Sequence, residues 1–403
     1  MHVQRWKYAL FQQKIDSAID DLELWQRIFD PSWYLIMKVA TSHIDSELGT
    51  YVATDSDSPI SSAHSLRKAL HPTTATRAPI FLPEDGIKSL SIEDIPLCSA
   101  QSGQREDPDK RLILERVEPD EGIDVKQFER DVRDLAKRLA HSDPHVFGML
   151  NCKGVIRHYD DENRKSAGPS SFTIVFRTTP GLSRPRSLRG YIHDVQRPQS
   201  LSDRVRLANE LARSVSYVHT FGLVHKNIRP ETVLLLSGGN PSGSSLFLIG
   251  FDSFRKADGK TARKGVSAWE QCLYQHPNRT GPIARQDYIM QHDIYSLGVC
   301  LLEIGLWTSF VEYDAERAPY PATIIGNEFS IDVLKDRLLS LARGELRSVM
   351  GNMYSEVVVT CLTSLDPGNI DFGDESEFQD EDGIQVGVRY IEKVTNRLRA
   401  ICV

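Results

Sequence analysis

Long hydrophobic runs are absent from this chain of 403 residues. The most apolar stretch, Leu297 to Trp307, is short and contains Glu303, whereas a membrane-spanning helix needs about 20 apolar residues. Basic charge is also scarce, because 48 lysines and arginines face 55 aspartates and glutamates and leave a net charge of −7. We therefore expect neither a transmembrane span nor nucleic acid as a partner.

Cysteine is sparse and scattered, and no two cysteines form a C-x-x-C pair. The chain contains Cys98, Cys152, Cys272, Cys300, Cys361 and Cys402. Disulfide frameworks and zinc sites usually show paired spacings, so this pattern favours reduced thiols. The residues that follow Met1 are polar and basic rather than apolar, which predicts no signal peptide. Together these absences indicate a cytoplasmic protein.

The residues that are present divide the chain into three parts. Apolar residues at three- and four-residue steps predict two helices within residues 1–40, the second of which begins at Asp30-Pro31. Residues 41–79 are rich in serine, threonine and aspartate, which is typical of a flexible linker. Residues 80–403 are long and apolar enough to form a folded domain of their own.

Within residues 80–403 the predicted strands come first and most of the predicted helices follow. The strand-rich part, about residues 80–177, contains one helix, and the helical part, about 178–403, contains a few short strands. The predicted elements are strands at Lys110–Val117, Val146–Arg157 and Phe172–Phe176, a helix at Val125–Leu139, helices that begin at Ser187 and Ser200, and strands at Val233–Leu236 and Leu246–Ile249. This order predicts an α+β fold.

Four motifs in residues 80–403 resemble those of protein kinases. Residues 225–232, H-K-N-I-R-P-E-T, resemble the catalytic loop H-R-D-L-K-P-E-N. Residues 250–252, G-F-D, stand where kinases have D-F-G, residues 276–278 resemble A-P-E, and Asp293 opens the segment that resembles the buried helix of the large lobe. The resemblance implies a bilobal protein-kinase-like fold, with ATP and Mg²⁺ as the cofactors.

The amino-acid sequences of these motifs also resemble those of filamentous-fungal kinase-like proteins, which carry a HeLo-type helical segment before the kinase-like domain. The similar stretches include the catalytic-loop wording, F-D-P-S-W at residues 29–33 and L-Y-Q-H-P at residues 273–277. This resemblance implies that residues 1–40 are the C-terminal part of a HeLo-like bundle. A shortened gene model or a natural truncation would then explain where the chain begins.

Most groups that phosphoryl transfer needs are replaced in this sequence. A kinase uses a carboxylate base, two metal-holding groups and a cation that contacts the phosphates. By the resemblance, Asn227 replaces the base, Thr232 replaces the metal-binding asparagine and Gly250 replaces the metal-binding aspartate. Asp252 lies two residues further on and is the remaining candidate to hold one Mg²⁺.

The strand-rich part also lacks residues that kinases use to bind the phosphates. The resemblance places the phosphate-binding lysine at Arg116 or Val117, and its glutamate partner at Asp131. No G-x-G-x-x-G occurs between Phe81 and Lys110, where the phosphate-covering loop belongs. Arginine contacts phosphate with a geometry different from that of lysine.

Three further residues are assigned roles by their place in these motifs. We expect His225 to be a buried, hydrogen-bonded anchor of the loop rather than a base. Arg229 matches the lysine that contacts the transferred phosphate, and we expect it to pair within the loop first. Asp293 is expected to accept backbone hydrogen bonds beneath the loop and so to hold the fold.

Three functions remain open on the sequence alone. The first is a pseudokinase that acts as a binding and signalling switch. The second is a divergent active Ser/Thr-type kinase that uses Asp252 for metal and Lys110, Lys126 or Lys153 for the phosphates. The third is a kinase-like regulator of an N-terminal helical effector of cell death or self/non-self signalling. The expected partners are proteins that contact the N-terminal helices and the lobes, and peripheral membrane contact is left open.

Overall fold

The computed structural model describes most of residues 80–402. The gaps lie at 84–86, 105–110, 120–123, 160–167, 183, 195–198, 239–243, 253, 257–267, 281–286, 327–330 and 373–383. Before residue 80 it describes four positions of the predicted linker, Ser46, Thr50, His64 and Arg67, all of which are helical. The predicted helical segment 1–40 lies outside the described residues.

A six-stranded sheet and one long helix form the strand-rich part. The elements are β1 (Phe81–Leu82), β2 (Ser91–Asp94), β3 (Gln101–Gln104), β4 (Arg111–Val117), α1 (Val125–Ala140), α2 (Pro144–Phe147), β5 (Asn151–His158) and β6 (Ser171–Arg177). The strand order is β1-β5-β6-β4-β3-β2. All neighbouring strands are antiparallel except β1 and β5. Because side chains alternate along a strand, β4 directs one set of residues toward α1 and the other set outward.

Helix α1 begins where Asp124 caps it, because the aspartate side chain accepts a hydrogen bond from the amide of Lys126. Its apolar stripe is fully buried and consists of Val132, Leu135, Ala136 and Leu139. This stripe packs in the same core as Ile113 and Val117 of β4. The amphipathic pattern of the sequence therefore sets which face of α1 meets the sheet.

The second part is mainly helical. Its elements are β7 (Arg184–Ser187), α3 (Leu188–Ile192), α4 (Leu201–Thr220), β8 (Leu223–Val224), β9 (Val233–Ser237), β10 (Ser244–Leu248), β11 (Arg255–Lys256), α5 (Trp269–Cys272), α6 (Met290–Leu306), β12 (Val311–Tyr313), β13 (Pro319–Pro321), α7 (Ile331–Leu341), α8 (Arg347–Leu362), α9 (Ile384–Tyr390) and α10 (Asn396–Arg399). Short π-helical turns at Ala342–Leu346 and Ile391–Thr395 precede α8 and α10. Helix α6 is buried along nearly its whole length and contacts both α4 and α8.

The predicted α+β arrangement, with a strand-rich part before a helical part, is confirmed and is compatible with a kinase-like fold. One predicted strand is wrong at its start, because residues 144–147 are helical. Asp143 caps this short helix, Pro144 occupies its first position, and Gly148 ends it with φ of 62°. In the described part of the chain, no helix has the length and apolarity that a membrane crossing requires.

Candidate functional site

The kinase-like loop at residues 225–232 is held from below by Asp293 at the start of α6. The Asp293 carboxylate accepts hydrogen bonds from the backbone amides of His225 at 2.8 Å and Lys226 at 2.9 Å. It also accepts one from the hydroxyl of Tyr288 at 2.7 Å and lies 3.0 Å from the His219 ring. Burial alone would raise the pKa of Asp293, but the hydrogen bond and charge of His219 hold it below the usual value.

His225 is fully buried within this loop. Its Nδ1 accepts a hydrogen bond from the amide of Asn227, and its ring packs 4.8 Å from that of Phe251 in the G-F-D segment. Burial lowers the pKa of His225, so the ring is neutral near pH 7. His225 thus joins the loop to the G-F-D segment as a packed anchor.

Asn227 has both ends of its side-chain amide engaged. Its Nδ2 donates to Oδ1 of Asp252 at 2.7 Å, and its Oδ1 accepts from Nε of Arg229 at 2.9 Å. A guanidinium group only donates and a carboxylate only accepts, so these partners fix the orientation of the amide. The structure therefore brings Asn227, Arg229 and Asp252 together, and the Arg229 guanidinium pairs within the loop.

The side chain of Thr232 packs directly against the backbone of Gly250. The Thr232 hydroxyl lies 2.7 Å from the carbonyl oxygen of Asn227 and accepts a hydrogen bond from the amide of Arg229 at 3.2 Å. A Cβ atom added to Gly250 would lie 2.3 Å from Cγ2 of Thr232, and Gly250 has φ of +89°. The threonine methyl group therefore fills the space where a side chain at position 250 would begin.

Glu115 of β4 is the residue that the sequence reasoning missed. Only 1% of it is exposed, and its Oε2 accepts a hydrogen bond from the amide of Gly250 at 3.0 Å. Its other oxygen has no hydrogen-bond partner among the described residues. Burial, together with the nearby charge of Asp252, raises the pKa of Glu115 to about 8. A carboxyl group thus faces the G-F-D segment from the sheet.

The position predicted for the phosphate-binding cation needs correction. Arg116 lies on the outer face of β4, where 62% of its side chain is exposed and Nε contacts Glu118 at 2.8 Å. Val117 is buried in the core next to α1. Glu115 and Val117 share the inward face because side chains alternate along a strand. The alternation in R-L-I-L-E-R-V was the signal for this, since an acidic residue stands among apolar ones on the inward side.

The described hydrogen bond of Asp131 is made within α1 and not to the kinase-like loop. Asp131 lies on the half-exposed side of α1, where its Oδ1 accepts a hydrogen bond from Gln127 one turn earlier. Of the alternative lysines, Lys110 lies outside the described residues and Lys126 is exposed in the first turn of α1. Lys153 lies on β5, which β6 separates from β4. Two of these three positions are thus placed, and neither is on the strand that faces the loop.

A buried ionic cluster fixes the other side of the loop. Arg189 of α3 is completely buried and donates from Nε to Glu231 at 2.9 Å. Its other nitrogens donate to Glu303 of α6, to Ser309 and to the hydroxyl of Tyr274. Four segments of the helical part therefore meet at one guanidinium group.

The two carboxylates of this cluster respond differently to their burial. Burial alone would raise the pKa of Glu231, but the charge of Arg189 holds it below the usual value. Burial raises the pKa of Glu303 despite the same arginine. Without Arg189, Glu303 would be an unpaired buried charge, and Glu231 would keep only the guanidinium group of Arg229, 4.0 Å away.

The residues that face one another here do not fit ATP with Mg²⁺. Phosphoryl transfer needs cations and metal-holding oxygens around the phosphates, and a base for the attacking hydroxyl. Asn227 is a neutral amide, Gly250 has no side chain, and the inward position of β4 holds Glu115.

No known protein-family model matches the chain. Three curated proteins are similar to parts of it: eukaryotic translation initiation factor 2-alpha kinase 1 of Mus musculus, 29% identical over 30% of this chain and 20% of that protein; a receptor protein kinase-like protein of Arabidopsis thaliana, 28% identical over 59% of this chain and 28% of that protein; and a serine/threonine-protein kinase H1 homolog of Pinctada fucata, 28% identical over 24% and 22%.

The chain thus spans between a fifth and about three tenths of the length of these relatives. The similarity is weak, and all three relatives are protein kinases or kinase-like by name. Together with the α+β fold and the order of the four motifs, these relatives support the conclusion that the chain contains a protein-kinase-like domain.

Proposed function

We propose that residues 80–403 are a pseudokinase domain, which lacks phosphotransfer activity and works as a binding and signalling switch through contacts with proteins. The observation that carries this proposal is the carboxyl group of Glu115, which is buried against the amide of Gly250 on the inward face of β4. A kinase needs a cation near the phosphates, and this position offers either a negative charge or a neutral acid.

Electrostatics explains why this one position matters. Nucleotide phosphates carry several negative charges, and interactions between charges in a water-poor site are much stronger than in bulk solvent. When Glu115 is ionised it repels phosphate, and when it is protonated it attracts phosphate no better than any neutral group. In both states the stabilisation that a lysine supplies is missing.

The hydrogen bonds around the loop also support a binding role. The amide of Asn227, the hydroxyl of Thr232 and the carboxylate of Asp293 are already satisfied by neighbouring residues of the loop and its supports. A site that is closed on itself in this way keeps a fixed shape, which suits recognition of a partner better than a reaction cycle.

One observation favours the alternative of a divergent active kinase. Asp252 does reach the loop, since its Oδ1 accepts a hydrogen bond from Asn227. In that alternative, Asp252 holds one metal ion and the missing base limits the rate, so Asn227→Asp should increase activity strongly. Under our proposal the same change yields no activity, because Glu115 and Gly250 remain.

The test is a phosphotransfer assay on the full chain with ATP and either Mg²⁺ or Mn²⁺. We expect no transfer to the protein itself or to a general substrate from the wild type, Asn227→Asp or Asn227→Ala. Metal-dependent transfer by the wild type that disappears in Asn227→Ala would refute the proposal. A large gain in Asn227→Asp would support the active alternative instead.

The regulation of an N-terminal effector stays a prediction, because residues 1–40 lie outside the described residues. It can be approached with the full chain and liposomes that report leakage. The acidic polar face of the predicted first helix is repelled by anionic lipid, so we expect no leakage from the chain alone.

A further inference from the structure

A second site with a different chemistry lies in the helical part. A cavity of about 440 Å³ opens between the turn before α8, α8 itself and α10. This volume falls in the range of roughly 300–1,000 Å³ that is usual for small-molecule sites. The cavity shares no residue with the kinase-like loop and is lined by Arg343, Arg347, Asn352, Ser355, Glu356, Val359, Thr360 and Arg397.

The lining is strongly basic in a chain that is acidic overall. Three arginines and one glutamate give the cavity a formal charge of +2, whereas the whole chain carries −7. Arg397 donates to Glu356 at 2.6 Å, and Arg347 donates through Nε to the side chain of Asn352 at 2.7 Å. Within the described part of the chain, Arg343 has no hydrogen-bond or ion-pair partner. Two of the three guanidinium groups therefore have no carboxylate that neutralises them.

The backbone adds to this positive potential. Gly351, with φ of 80° and ψ of 176°, interrupts α8, and a new helical run begins at Asn352 on the wall of the cavity. The first amides of a helix carry a positive partial charge and lack partners within the helix. Ser355 lies on the same wall but adds no donor, because its buried hydroxyl already donates to the carbonyl oxygen of Ala342 at 2.7 Å. The helix start and the arginines act on the same space, and both favour an anion.

Arginine is suited to phosphate because its planar group can donate two parallel hydrogen bonds to phosphate oxygens. A single phosphate group would engage one or two of three separate guanidinium groups, whereas two or more linked phosphates can engage all of them. We infer that this cavity binds a compact ligand with at least two phosphate groups. Such a group belongs either to a soluble diphosphate or polyphosphate or to the headgroup of a phosphorylated lipid.

Glu356 provides a specific test of this inference, because its carboxylate already occupies part of the cavity. Its carboxylate lies in the first turns after the break and pairs with Arg397, so it competes with an incoming anion for the same cation. Removing that charge should therefore tighten binding. A surface that merely attracts anions without a defined site would show no such dependence on one neighbouring side chain.

The experiment is titration calorimetry of the full chain with tripolyphosphate, with citrate and sulfate as anions of other shape. We expect tripolyphosphate to bind more tightly than either control and more weakly as the salt concentration rises. Arg343→Gln and Arg347→Gln should each weaken binding about tenfold or more, since a charge-assisted bond contributes about that factor. Glu356→Gln should tighten it about threefold to tenfold, and Arg130→Gln, an exposed arginine of α1, should leave it unchanged.

A second measurement distinguishes a soluble phosphate ligand from a lipid headgroup. Vesicles of phosphatidylcholine with and without phosphatidylinositol 4,5-bisphosphate are sedimented with the wild type and with Arg343→Gln. Binding to the phosphorylated vesicles that Arg343→Gln abolishes identifies a lipid headgroup, whereas binding of tripolyphosphate alone identifies a soluble ligand.

The inference is overturned if tripolyphosphate does not bind at millimolar concentration in low salt. It is also overturned if Arg130→Gln weakens binding as much as Arg343→Gln, or if Glu356→Gln has no effect. Each variant changes an exposed side chain, so its folding can be verified by an unchanged unfolding midpoint. The outcome is independent of the proposed lack of phosphotransfer.

Discussion

Glu115 and Gly250 show how much a single residue decides at this site. The inward position of β4 holds an acid instead of a base, and the amide of Gly250 donates to it at 3.0 Å. In an active kinase these two positions would have to hold a cation and a metal ligand. Here they are joined by a hydrogen bond instead. The chemistry of the cleft is set by the identity of these two residues.

The buried carboxyl group of Glu115 predicts a pH dependence of stability. Its pKa in the folded chain is about 8, above the value of 4.5 for an exposed glutamate, so the folded state retains a proton that the unfolded state releases. The stabilisation is complete below pH 4.5 and is lost as the pH rises to 8, at up to about 1.4 kcal/mol per pH unit.

Glu115→Gln removes the titrating carboxyl group and with it this pH dependence of stability. We expect the free energy of unfolding of the variant, relative to the wild type, to rise between pH 5 and pH 8 and to level off above pH 8. Urea denaturation of both proteins across this range measures the difference. Two profiles that remain parallel would show that Glu115 carries no excess proton in the folded state.

The contact between Gly250 and Thr232 predicts a strong penalty for any side chain at position 250. Gly250→Ala places Cβ 2.3 Å from the Thr232 methyl group and forces a non-glycine residue to φ of +89°. The left-handed backbone alone costs about 1–2 kcal/mol, and the clash adds to it. We expect Gly250→Ala to lower the free energy of unfolding by about 2–4 kcal/mol.

A second variant separates the two causes. Thr232→Ser keeps the hydroxyl and removes the methyl group, but it keeps the Cβ atom that would lie 2.6 Å from the new side chain. In combination with Gly250→Ala it should therefore recover only the part of the clash that is due to the methyl group. A double-mutant cycle in urea measures this coupling. Strictly additive effects of the two substitutions would contradict the contact.

At the scale of elements, the Arg189 cluster joins α3, the kinase-like loop and α6. These elements are distant in sequence, since Arg189 lies 42 residues from Glu231 and 114 from Glu303. Because the guanidinium group is completely buried, its ion pairs are shielded from solvent and depend on one another.

Arg189→Met therefore should destabilise the chain severely. It removes the cation of Glu303 and leaves Glu231 with only Arg229, 4.0 Å away. Breaking a buried pair on one side typically costs about 3–5 kcal/mol. The double variant Arg189→Met with Glu303→Gln removes one of the orphaned charges and should recover part of the loss. Chemical denaturation of the two variants checks this, and a single variant as stable as the wild type would contradict the role of the cluster.

The sequence predicted the elements better than it predicted their contacts. The start of α1 at Val125 and of α4 after Ser200 was predictable, because the capping side chains stand next to the helices they begin. The last two residues of the helix at 144–147 were mistaken for strand, because Val146 and Phe147 are apolar and stand close before the apolar residues of β5. Local sequence signals therefore predicted most boundaries of helices and strands. They did not reveal a short capped helix next to an apolar strand.

The site was less predictable, for a physical reason. Asn227, Thr232 and Gly250 could be found because they stand in motifs with known spacing. Glu115 was missed because the resemblance placed the lysine at Arg116 or Val117, the last two residues of the strand, whereas the pleat decides which residues face inward. The partners of Arg189 lie far apart in sequence, and nothing local signals that they meet.

At the scale of the whole molecule, two regions of different chemistry lie in one chain. The kinase-like loop faces Glu115 and Asp252, and the arginine-lined cavity lies among the last helices. ATP carries a triphosphate, so it should also bind weakly to that cavity. Any test of the kinase-like cleft with ATP must therefore separate the two sites.

The most direct test is thermal unfolding of the full chain and of the double variant Arg343→Gln, Arg347→Gln, with millimolar ATP in Mg²⁺, Mn²⁺ or metal-free buffer. A ligand at one hundred times its dissociation constant adds about 2.7 kcal/mol and moves the midpoint by a few degrees. We predict no metal-dependent shift in the double variant, because its cleft still holds Glu115 where a cation is needed. A shift of a few degrees that requires metal and is lost in Asp252→Ala would contradict the account.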